Sequence, residues 1–137
     1  MITFTEVKIQ ELKEHFTTKK NIVITAHKSP DGDSIGSSLA LYHYLVKKGF
    51  EVTVCHPDPA PSFLCWLDGI TEVKSLEMNQ EEVKEAIEAA DIIFCLDYNT
   101  LNRTGSEMEG LIKNSTAFLV MIDHHLYPSD EFNLIFS

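Results

Sequence analysis

At 137 residues and 15.5 kDa, the chain holds enough material for one hydrophobic core and not for two. Its 44% hydrophobic and 23% charged residues exclude a disordered, collagen-like or low-complexity chain, and no apolar run approaches the ~20 residues of a membrane span. Eleven Lys plus Arg against twenty-one Asp plus Glu leave a net charge of −10, which argues against a basic groove for long duplex nucleic acid but leaves room for a phosphate substrate met through bound cations.

Met1 to Glu14 alternates apolar and charged residues without the apolar core of a secretory signal, so a cytoplasmic location is expected. Leu12 and Phe16, with Val7 nearby, predict an amphipathic first helix ending near Lys19. Ile22 to Ala26 is a β-branched apolar run with no polar alternation, the mark of a strand buried on both faces. A turn from Lys28 to Asp33 follows, in which Pro30 biases Ser29 toward extended backbone. Ile35, Leu39, Tyr42 and Val46 then step at helical spacing until Gly49.

The pattern recurs downstream. Glu51 to Cys55 reads as a strand, and the prolines of His56 to Ser62 forbid regular structure. Helical character is expected at Phe63 to Leu67 and a minor strand at Ile70 to Val73, with Phe63 and Trp66 anchoring the loop to the body. Asn79 with Glu82 resembles a helix cap ahead of Val83, Ala86, Ile87 and Ala90. Ile92 to Leu96 and Ala117 to Ile122 are further buried strands, with a helix over Glu107 to Lys113 between them. Strands alternating with helices predict an α/β fold with a mainly parallel, Rossmann-like sheet covered on both faces. Phe132 to Ser137 reads as one more extended segment, with no helix behind it to cover the sheet.

Three apolar strands end in metal-ligand types: His27 with Asp31 and Asp33, then Asp97, then Asp123, His124 and His125. Open α/β sheets bind ligands beyond the carboxyl ends of their strands, so these segments should converge. Carboxylates gathered without a cation would repel and take up protons. Mixed imidazole and carboxylate donors suit Mn²⁺, Fe²⁺, Co²⁺ or Zn²⁺ better than Mg²⁺. A helix beginning at Asp33 and Ser34 would present amide donors to the same pocket, with Gly36 letting a phosphate come close.

His27-Lys28-Ser29-Pro30-Asp31-Gly32-Asp33-Ser34-Ile35-Gly36-Ser37, then Asp97, then Asp123-His124-His125 resemble the first three motifs of the DHH phosphoesterases. Asp-Gly-Asp followed by Ser-Ile-Gly-Ser is most similar to the branch of bacterial nanoRNases and 3′-phosphoadenosine-5′-phosphate phosphatases, with exopolyphosphatase-like relatives close by. The resemblance implies that His27 and Asp31 bind one Mn²⁺, that Asp33 and His124 bind a second, and that Asp97 bridges them. Mg²⁺ or Co²⁺ would be substitutes. It casts Asp123 as the partner that orients a histidine, and places His125, Ser34 and Arg103 near the substrate phosphate. Asp97, Asp123, His124 and His125 form the implied catalytic set. The implied substrates are short RNA or a nucleotide phosphate, with pyrophosphate or polyphosphate as the alternative. A homodimer is expected, and no membrane partner.

A further Asp ligand and a C-terminal DHHA1 domain with a glycine-rich loop, both features of the family, are not matched. Asp130 stands too close to Asp123 to serve as that ligand. The expectation is a DHH catalytic domain over residues 1–137, cut short and inactive alone.

Other residues receive plainer readings. His15, His43, His56 and Asp58 are expected to be structural, and Glu77 to Glu88 a solvated helical face. Cys55, Cys65 and Cys95, with no C-x-x-C pair, read as buried reduced thiols. The competing class is a non-catalytic nucleotide-binding module. The absence of G-x-G-x-x-G after the first strand weakens it, as does the retention of all five ligand residues, His27, Asp31, Asp33, Asp97 and His124.

Overall fold

In the computed structural model, residues 4–17 and 21–137 are described. Four helices, α1 (Phe4–Phe16), α2 (Gly32–Lys47), α3 (Gln80–Ala89) and α4 (Ser106–Lys113), surround six strands. The strands are β1 (Asn21–Thr25), β2 (Glu51–His56), β3 (Val73–Ser75), β4 (Ile92–Leu96), β5 (Phe118–Ile122) and β6 (Leu134–Phe136). All pair in parallel, in the order β3-β2-β1-β4-β5-β6. The sheet is thus the doubly wound, Rossmann-like α/β arrangement that the apolar runs predict.

Burial explains those runs. All five residues of β4 are buried, and so are Ile22, Val23, Ile24 and Thr25 of β1. Alternate residues face opposite layers. Val23, Ile93, Cys95 and Met121 meet α3 and α4 through Val83, Ile87, Met108 and Ile112. Ile22, Ile24, Phe94 and Val120 meet the other layer, where Leu12 and Phe16 of α1 and Leu45 of α2 lie. Each such fully buried aliphatic side chain contributes roughly 1.5–3 kcal/mol. Helix α2 stops where Gly49, at φ +93°, adopts the left-handed turn that releases the chain toward β2.

Several local expectations are corrected. Residues Ile70–Glu72 form a 3-10 turn, because Gly69 at φ +86° bends the chain there, and the strand is Val73–Ser75. Asn79 precedes α3 but does not cap it with its side chain, whose Oδ1 accepts from the Ser75 amide instead. Phe63 and Trp66 do not anchor their loop: they are 70% and 77% exposed, and Leu64 is buried in their place against Ile35 and Leu39. Cys55 and Cys95 are buried, but Cys65 is exposed.

The end of the sheet is also covered. Lys8 of α1 donates to the Ile135 carbonyl, and Leu12 and Phe16 belong to the same apolar cluster as Leu134 and Phe136. The expected end of the first helix near Lys19 falls outside the described residues. His15 stacks on Phe118, with ring centroids 3.7 Å apart. Among the described residues no helix is long and apolar enough to cross a membrane.

Candidate metal centre

From β1 the chain winds outward to β2 and β3, and from β4 to β5 and β6. The loops after neighbouring strands β1 and β4 therefore part in opposite directions and open a crevice at the carboxyl edge. His27, Asp97 and the Asp123–His125 segment all follow directly from strands ending there.

His27 is buried, and its Nδ1 lies 2.6 Å from the Lys28 carbonyl. A carbonyl only accepts, so Nδ1 carries a proton, and in the neutral ring Nε2 is left with a lone pair. That lone pair faces Asp97 Oδ2 at 3.4 Å and Asp31 Oδ1 at 3.9 Å. Acceptors aimed at one another at such distances call for a proton or a metal cation between them.

Asp97 occupies the centre. It is only 10% exposed at its side chain, and its second oxygen, Oδ1, lies 3.1 Å from His124 Nε2. One carboxylate therefore meets two imidazoles from different strands. Its backbone is left-handed, with φ +64°, while its amide still donates to the Ile122 carbonyl of β5.

The ligand atoms of His27, Asp31 and Asp97 lie within 4.8 Å of one another, as do those of Asp97, Asp123, His124 and His125. Asp33 is in neither set. It instead lines a cavity of about 410 Å³ together with Ser37, Asp97, Asp123 and His124. Asp123 is fully buried at its side chain and grips His125, with Oδ1 2.6 Å from His125 Nδ1 and Oδ2 accepting the His125 amide at 3.0 Å. The His125 ring lies 4.6 Å from that of His124, which is 73% exposed.

Asp31 has two tasks. Its Oδ1 accepts from the Ser34 amide at 3.0 Å, while the Ser34 hydroxyl accepts from the Asp31 amide, the reciprocal pair of a capping box. The Ser34 amide bond holds the Asp31 carboxyl below its ordinary value against desolvation, with the nearby His27 helping. Asp31 thus stays ionised. Ser34 is fully buried with its hydroxyl committed to this cap. Arg103 sits exposed on the 3-10 turn Leu101–Thr104, where its carbonyl accepts from the Lys28 amide, and its side chain does not line the cavity. Among the described residues, no other part of the chain lies within 4 Å of where a side chain on Gly36 would begin.

Ser29 departs from the extended backbone expected before Pro30. It is left-handed, φ +54°, because its amide is captured by the Asp58 carboxylate at 2.7 Å. Asp58 is structural, as read, and its task is to shape the loop that carries Asp31. The Ser37 hydroxyl donates to the Asp33 carbonyl at 2.7 Å beside the cavity. Asn99 was missed. Its side chain donates to the Leu126 carbonyl and its own carbonyl accepts the Ser129 amide, tying the loop after Asp97 to the loop after His124. An asparagine in a turn beside a ligand was the available signal.

A family model for the N-terminal domain of the DHH family matches residues 21–135. Among solved structures, the chain is similar to an exopolyphosphatase-related protein from Bacteroides fragilis, at 40% identity and a TM-score of 0.92. The similarity covers 96% of this chain and 38% of that one, so the chain spans well under half the length of its relative. No curated protein matches significantly. The family match spans β1 to β6 and every residue of the crevice, and the chain accordingly belongs to the DHH family through its N-terminal domain.

Proposed function

We propose that this chain carries the catalytic domain of a manganese-dependent phosphoesterase that hydrolyses short oligoribonucleotides or 3′-phosphoadenosine-5′-phosphate. The observation that carries the reading is Asp97, whose two oxygens each meet a different histidine. His27, Asp31 and Asp97 would hold one ion, and Asp33, Asp97 and His124 a second. Two such ions, when bound, supply an activated water and neutralise charge on the phosphoryl oxygens.

The chain's own residues do the rest. Lys28 fixes the His27 ring through its carbonyl, so that Nε2 faces the pocket. Asp123 accepts the Nδ1–H of His125 and holds the ring in place, so that the imidazolium form would present its Nε2–H to a phosphate oxygen or donate that proton to the leaving oxygen. Asp33 and Ser37, from the first turns of α2, put the positive end of that helix at the cavity, where a phosphate is favoured. A cytoplasmic setting and a dimer belong to the same proposal.

A second reading is an exopolyphosphatase, favoured by the exopolyphosphatase-related protein to which the chain is similar. Offering 3′-phosphoadenosine-5′-phosphate, dinucleotides, pyrophosphate and polyphosphate side by side with Mn²⁺ separates the two. Preference for a nucleotide supports the first reading. Preference for polyphosphate replaces it with the second.

A further inference from the structure

The residue after Asp97 explains how a carboxylate comes to stand at the centre of the crevice. Along β4, Ile93 and Cys95 face α3 and α4, while Phe94 and Leu96 face the other layer. Strict alternation would place Asp97 on the face of Cys95, beneath the helices, where a carboxylate finds only apolar neighbours. The left-handed turn at Asp97 breaks the alternation. Tyr98 takes the buried position under α3 and α4, and Asp97 is turned toward the edge. A non-glycine residue in this backbone region is held at a cost of about 1–3 kcal/mol, so something must hold it.

Tyr98 is fully buried, packed edge-on to Phe132 at 6.4 Å between ring centroids, and its hydroxyl lies 2.7 Å from Thr25 Oγ1. Thr25 Oγ1 already donates its one proton to the Phe94 carbonyl at 2.8 Å. Tyr98 is therefore the donor and Thr25 the acceptor. The bond links the end of β1, two residues before His27, to the loop after β4, one residue after Asp97. It crosses the point where the two halves of the sheet diverge.

We propose that Tyr98 is a positioning residue: its buried bond to Thr25 locks Asp97 in the left-handed conformation and sets the spacing between the Asp97 carboxylate and His27. This inference rests on the metal-centre reading above and adds a residue outside the proposed ligand set.

The test is Mn²⁺ binding by calorimetry on the wild-type protein and on Tyr98→Phe, Thr25→Val, Thr25→Ser and the Tyr98→Phe/Thr25→Val double variant. Tyr98→Phe and Thr25→Val are each expected to weaken binding by about 10-fold, as loss of a supporting hydrogen bond does. Thr25→Ser, which keeps the acceptor, should bind like wild type, and the double variant should lose no more than either single one. Ser75→Ala removes a different buried hydroxyl, the acceptor of the Met78 amide. It should lower stability without changing Mn²⁺ affinity. If Tyr98→Phe fails to fold by circular dichroism, the Thr25→Val and Thr25→Ser comparison carries the test alone. Unchanged affinity in Tyr98→Phe or Thr25→Val, or additive losses in the double variant, overturns the positioning role while leaving the metal centre standing. A wild-type protein that binds no Mn²⁺ overturns the metal centre itself.

Discussion

Asp97 Oδ1 and His124 Nε2 lie 3.1 Å apart although 27 residues separate them in the chain. The other oxygen of the same carboxylate serves His27, so exchanging either oxygen breaks one of the two contacts that Asp97 joins. Asp97→Asn keeps the shape but exchanges one acceptor for an NH₂ donor that repels a cation. Mn²⁺ affinity should fall by more than about 100-fold, beyond the range for outer partners of a ligand. Calorimetric titration checks this, and equal affinity in the two proteins removes Asp97 from the site.

Asp31 permits its two tasks to be separated. Asp31→Ala removes both the cap and the carboxylate, and should cost about 1 kcal/mol of stability. Asp31→Ser restores a capping oxygen but not a charged ligand. Thermal melts should show serine recovering most of the lost stability, while Mn²⁺ affinity stays low in both variants. Recovery of affinity with the cap would make Asp31 structural only.

His56 gives the fold a pH dependence. It is fully buried, with Nε2 3.0 Å from Ser38 Oγ and Nδ1 unpaired among the described residues. Burial, with a smaller push from His27, lowers its pKa from 6.5 to about 4. The unfolded chain therefore binds a proton that the folded chain refuses between these values. Stability should be flat above pH 7 and decline as pH falls from about 6.5 toward 4, by at most roughly 3 kcal/mol. Urea midpoints across this range test it in wild type and His56→Gln, which should be less sloped. An identical slope in both would assign the acid sensitivity elsewhere.

The exposed aromatic pair yields a contrast. Trp66→Ala should change stability by no more than ~0.5 kcal/mol, as surface substitutions do. Leu64→Ala, which empties a buried position beside Ile35 and Leu39, should cost about 2–3 kcal/mol. Denaturant unfolding of the two variants reads this directly, and a large loss in Trp66→Ala would contradict the exposed placement.

What could be read without coordinates follows from range. Ile22–Ala26 and Ile92–Leu96 announced themselves because parallel strands buried on both faces need unbroken apolar runs, a purely local requirement. The ligand types at their ends were visible for the same reason, since strand direction alone brings them to one edge. Features set by distant residues were not visible. Ser29 is bent by Asp58, 29 positions on, and β6 is covered by α1 through Lys8 and Ile135, 127 positions apart. In the short apolar loop after Pro61 the large aromatics Phe63 and Trp66 are the expected anchors, and only the shape of the Ile35–Leu39 surface decides for Leu64 instead. Tyr98 carries no local signal of its burial, because it is the left-handed backbone at Asp97 that puts it under the helices.

The most direct measurement is the release of phosphate or mononucleotide by the full-length protein that carries this domain and by its His124→Ala variant, with Mn²⁺ present and after its removal by a chelator. Short oligoribonucleotides and 3′-phosphoadenosine-5′-phosphate serve as substrates. A metal-dependent phosphoesterase centred on Asp97 predicts hydrolysis that Mn²⁺ restores after chelation and that His124→Ala reduces by at least about 100-fold with the circular dichroism spectrum unchanged. Turnover that persists in His124→Ala, or that is indifferent to Mn²⁺ and its removal, would contradict it.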